Sequence, residues 1–154
     1  MDLQQGIFAV KLCQMEEAYG HLQSRIRVCQ GKSTEELRKN LSQLLEEYDE
    51  EGILLKQQAE GSALASVRQL AQAVYQYQRQ TEPLLHQDLA REIAGNGAEG
   101  EEAQAEASAL FAEYAIDFAT QSMRYALCAA LWAMVLQAQE TASSNHIRLS
   151  LIHI

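Results

Sequence analysis

The sequence predicts an all-α protein, and three observations carry that expectation. Ala, Leu, Gln and Glu, all good helix formers, dominate the 154 residues, while Val, Ile and Thr are scarce. Proline occurs once, at Pro83, and glycine is sparse. Apolar residues recur at steps of three and four along most of the chain, the period of one helix face. The fold class expected is an antiparallel bundle of three to four long helices, arranged as two hairpins with a break near Gly61.

The first helix is expected over residues 2–30. Phe8, Leu12, Met15, Tyr19, Leu22, Ile26 and Cys29 alternate steps of four and three. Gly31 can adopt the left-handed backbone that ends a helix. Ser33-Thr34-Glu35-Glu36 then opens the next one. The Ser33 hydroxyl can accept from the Glu36 N–H and the Glu36 side chain can reach back, which is a capping box. Glu35 and Glu36 also sit at the positive end of the helix dipole.

The second stripe runs Leu37, Leu41, Leu44, Tyr48, Gly52, Leu55, Ala59 and Ala63. It continues through Ser66 or Val67 to Leu70, Val74 and Tyr77. Acidic residues 46–51 would oppose the dipole if a helix ended there, so helix is expected to pass through Gly52. Gly61-Ser62 is the better break, with Ser62 able to cap a new start. Hairpins over 1–60 and 62–141 would then fold together. Without a break, one rod of ~90 Å would result and would need to dimerise. Pro83 is read as a kink or as the first residue of a short helix, Glu82 to Ile93. Residues 95–100, Gly-Asn-Gly-Ala-Glu-Gly, read as a loop.

The last helix is expected from Glu101 to about Thr141. It carries a heptad of small residues: Ala105, Ser108, Ala112, Ala115, Ala119, Ser122, Ala126, Ala129 and Ala133. Phe111, Tyr114, Phe118, Tyr125 and Trp132 flank that seam. Small residues let a second helix approach closely, so the seam is expected to be covered, with residues 62–93 as the partner. Tyr114, Phe118, Tyr125 and Trp132 are the candidate interaction surface, because aromatic anchors dominate protein contacts.

Residues 1–142 are expected to form one domain. Residues 143–154 depart from helical composition, and their ending, Leu-Ser-Leu-Ile-His-Ile, resembles translated sequencing adapter. They are read as a non-native or disordered tail.

Net charge is −9, which disfavours nucleic acid and anionic membrane as partners. Arg25, Arg27, Lys32, Arg38 and Lys39 form a local basic exception around the first turn. Cys13, Cys29 and Cys128 make no C-x-x-C pair, which speaks against a disulfide framework or zinc site and fits a reducing cytoplasm. The N-terminus shows no signal-peptide pattern, and the run Tyr125 to Leu136 is too short to span a bilayer. No metal site and no cofactor are expected.

Three chemistries known in helical bundles bear on the sequence. Glu46, Glu47 and Glu50 match the E-E-x-x-E spacing with which all-α nucleotide pyrophosphohydrolases hold Mg²⁺. The resemblance covers half the motif, since no E-x-x-D pair follows. Arg79 and His86 have the R-x6-H spacing of HEPN-type bundle ribonucleases, with Pro83 between them. Di-iron bundles need E-x-x-H pairs, which are lacking. A small helical hairpin exported by a dedicated secretion system is a neighbouring reading. The W-x-G turn of the best-known such family is absent, because Ala133 and Met134 follow Trp132.

The leading expectation is a non-enzymatic helical interaction protein that contacts a protein partner or itself, with a homodimer allowed. The rival is a metal-dependent nucleotide hydrolase using Glu46, Glu47 and Glu50.

Overall fold

The computed structural model describes residues 3–85 and 100–152. Four helices make up these residues: α1 (Leu3–Cys29), α2 (Thr34–Glu60), α3 (Ala65–Pro83) and α4 (Glu101–Ile152). No strand occurs among the described residues. The all-α class read from composition and periodicity is therefore what the chain adopts. The chain divides into two units, Arg25–Ser108 and the pair of segments Met1–Ser24 and Ala109–Ile154.

In the first of these units, local signals set the helix ends. Gly31 has φ +79°, the left-handed conformation expected after α1. Ser33 caps α2: its Oγ accepts from the Glu36 N–H at 3.2 Å. Helix α2 passes through Gly52 and ends at Glu60, so the break falls at Gly61. Ser62 plays a different part from the one expected. Leu64, not Ser62, is the N-cap of α3, and it makes no side-chain cap bond. Ser62 Oγ instead accepts from the Leu64 N–H at 3.2 Å, and its carbonyl accepts from Arg68 Nη1 at 2.5 Å. A hydroxyl two residues ahead of a helix holds the turn shape rather than the first turn.

Pro83 is the last residue of α3. Most of the short helix expected over Glu82 to Ile93, and residues 95–99 of the loop, lie outside the described residues. Gly100 has φ +107° and leads into α4.

The helix packing that organises this unit is α2 against α3. Helices α2 and α3 pack on each other across the break at Gly61. Gly52 marks its closest point. A Cβ built on Gly52 would fall 1.9 Å from Gln78 Oε1, so the Gln78 side chain lies directly on the glycine. Gln78 is the one buried residue among those described, at 6% exposure. Its Nε2 donates to the Tyr48 carbonyl at 3.3 Å and approaches Asp49 Oδ1 at 3.5 Å, so its amide is satisfied. One turn along, Lys56 Nζ sits 4.4 Å from the centre of the Tyr75 ring. That is a cation–π contact between the two helices.

These contacts correct the phase read from the sequence. The positions turned toward the neighbour are Leu45, Gly52, Lys56 and Ala59 on α2 and Ala71, Tyr75 and Gln78 on α3. On α3 this set lies one residue round from the stripe Val67, Leu70, Val74, Tyr77. The stripe itself stays exposed, with Leu70 at 46% and Val74 at 50%. On α2, Leu44, Tyr48 and Leu55 are exposed likewise. In an antiparallel pair, a step back of one residue turns both stripes to the same side of the hairpin, because each turns by about 100° in opposite senses. The hairpin thus presents one shared apolar face. The Tyr48 hydroxyl is pushed up from its ordinary pKa, first by burial and then by Tyr77, with Thr81 hydrogen-bonding against that rise.

The end of α1 is tied to α2. Arg25 makes a two-pronged ion pair with Glu47, Nη1–Oε2 at 2.6 Å and Nη2–Oε1 at 2.8 Å. Asn40 Nδ2 donates to Cys29 Sγ at 3.6 Å.

Helix α4, of which residues 109–152 belong to the other unit, is one helix of 52 residues, ~78 Å long. It continues past Thr141 to Ile152, so the expected end is corrected by eleven residues (152 − 141). Helix-breaking composition alone did not stop it, because no Gly or Pro lies in residues 141–152. The small-residue seam is exposed from Ala105 to Ala129, and Ala133 is half-buried. No apolar side chain is fully buried among the described residues.

Candidate functional site

The residues singled out on α4 stand open. Tyr114 is 76% exposed, Phe118 40%, Tyr125 61% and Trp132 64%. Phe118, Tyr125 and Trp132 follow one another at intervals of seven. Seven residues are two turns less about 20°, so these rings form a slowly winding column with steps of ~10.5 Å. Tyr114 lies one turn before Phe118, beside the column's start. Leu127, Leu131, Val135 and Leu136 continue the apolar surface around the second half of the helix, and all four are exposed.

Three hydroxyls on α4 bond back to their own helix backbone. Thr120 Oγ1 donates to the Ile116 carbonyl at 3.3 Å, Ser122 Oγ to Phe118 at 3.2 Å and Thr141 Oγ1 to Gln137 at 3.1 Å. Each hydroxyl is thereby satisfied four residues back and presents mainly its carbon side outward. Arg124 Nη1 donates to Gln121 Oε1 at 3.2 Å. The middle of α4 therefore offers a protein surface of aromatic rings, small residues and locally satisfied hydroxyls. Such a surface suits contact with another apolar surface.

The acidic run on α2 is arranged otherwise. Both Glu47 oxygens accept from Arg25, which holds the Glu47 carboxyl below its ordinary pKa and raises the guanidinium. Glu46 and Glu50 flank Glu47 on α2 and are exposed. No group of three or more His, Cys, Asp or Glu side chains among the described residues is gathered to hold a metal ion. The E-E-x-x-E spacing thus serves, at its central member, to hold the end of α1. Arg79 is exposed on α3, and His86 lies outside the described residues. Cys13 and Cys128 are exposed and Cys29 is half-buried; all three are free thiols.

Sequence reasoning missed the Gly52–Gln78 contact and the Lys56–Tyr75 contact. The first left a signal: a glycine standing in phase on an otherwise leucine-rich stripe marks a place where another backbone or side chain comes close. The second left none, since Lys56 and Tyr75 are common residue types nineteen positions apart (75 − 56).

Among the described residues, no helix is long and apolar enough to cross a membrane. Comparison of the chain with protein-family models, curated proteins and solved structures gave no match.

Proposed function

We propose that this chain is a non-enzymatic helical interaction protein that self-associates, with α4 as its main protein-contacting surface. The observation that carries the reading is the open aromatic column of Phe118, Tyr125 and Trp132 on a helix whose residues 125–136 are all apolar. Exposed apolar patches of this kind, rich in aromatic residues, mark contact sites between proteins. A helix of 52 residues with its sides uncovered gains its stability from whatever covers it, since helices draw most of their stability from packing.

The acidic net charge supports a protein partner over nucleic acid or anionic lipid. The setting expected from three unpaired thiols is the reducing cytoplasm.

Trp132 is the sole tryptophan and sits within this surface, so it reports on it directly. Its emission is expected to be shifted to the blue at tens of micromolar protein and to move to the red on dilution, in step with a fall in sedimentation coefficient. A chain that sediments as a monomer at all concentrations, with Trp132 emission unchanged, would remove this reading. Release of pyrophosphate from nucleoside triphosphates that needs Mg²⁺ and is lost on Glu47→Gln would replace it with the hydrolase reading.

A further inference from the structure

We draw no further inference here: the strongest candidate, the apolar face that Leu44 and Leu55 of α2 share with Leu70 and Val74 of α3, is exposed, and nothing in the structure shows what covers it.

Discussion

The α2–α3 hairpin and the α4 helix place their large apolar residues in different relations to the rest of the chain. In the hairpin, each helix has a neighbour, and small residues make the contact: Gly52 accepts the Gln78 side chain and leaves the leucines and valines to one side. In α4, small residues form an unbroken line from Ala105 to Ala133, yet that line faces solvent up to Ala129 and the aromatic rings beside it are exposed. The difference teaches that a small-residue stripe is a permission for close packing and not an instruction. What fixes a contact is a specific partner group. Gln78 supplies one for Gly52, with a hydrogen bond to the Tyr48 carbonyl. The seam of α4 has no equivalent group among the described contacts.

The largest effect that would sharpen this contrast is a difference in hydrogen exchange. The α2–α3 contact is internal to the chain, so amides of residues 45–59 and 71–81 are expected to keep part of their protection when the protein is diluted. On the proposed self-association, those of residues 111–136 are expected to lose protection roughly a hundredfold or more on dilution. Equal loss in both regions would show that the hairpin is no more self-sufficient than α4.

The next effect isolates the glycine. Gly52→Leu must push Gln78 away and separate the helices, and it is expected to cost about 2 kcal/mol, in the range of overpacked contacts. Gly52→Ala is more informative. It gains roughly 1 kcal/mol of helix propensity but displaces the Gln78 amide from its acceptor, so it is expected to be close to neutral. In a Gln78→Ala background the displacement vanishes, and Gly52→Ala is expected to stabilise by most of that ~1 kcal/mol. Denaturant unfolding of the four chains gives the coupling directly. A coupling of zero would mean that Gln78 and Gly52 do not share the contact described here.

Much of the fold was legible in the sequence because helix ends are set locally. Ser33 and Glu36 announce the start of α2, Gly31 the end of α1, and Gly61 the break, all through interactions within a few residues. What depends on distant partners was read less well. The stripe Leu70, Val74, Tyr77 has a flawless period, but period fixes only which residues share a face and not which way the face turns. The contact between α2 and α3 was decided by Gln78 fitting on Gly52, a long-range match with no local signature beyond the glycine. The run to Ile152 was missed because Ser143, Ser144 and Asn145 are weak helix formers, and in α4 the preceding turns carry the helix across them. Tyr114, Phe118, Tyr125 and Trp132 were found by residue type and spacing, and they do share one exposed helix. Their partner is not written in the chain's local pattern, because partner choice lies in the shape and charge of a second surface.

Ser33→Ala removes the acceptor of the Glu36 N–H and is expected to cost about 1 kcal/mol of α2 stability, seen as earlier fraying of residues 34–37. The cost belongs to α2 alone, so thermal unfolding that shifts equally across α4 would break the separation between the two regions.

The smallest effect concerns Glu47 and Arg25, which are half-exposed and joined by two hydrogen bonds. The pairing holds the Glu47 pKa below its ordinary value, first through the Arg25 hydrogen bonds and then through its charge. A carboxyl whose folded pKa is lowered binds fewer protons folded than unfolded. Its contribution is therefore fully present above the unfolded pKa and is lost as pH falls through the folded one. Solvent screens so exposed a pair, and the contribution to overall stability is small. Its local role is to tie the last turns of α1 to α2. Acid titration followed by NMR is expected to show Glu47 titrating below the ordinary carboxylate range, and the chemical shifts of residues 25–29 moving with it. In Arg25→Gln the Glu47 midpoint is expected to rise and that linked movement to disappear, while the Gln78 amide signals in the α2–α3 contact stay in place. Movement of Gln78 along with residues 25–29 would mean that the end of α1 helps to hold the hairpin, and the hairpin would then not stand on its own two helices.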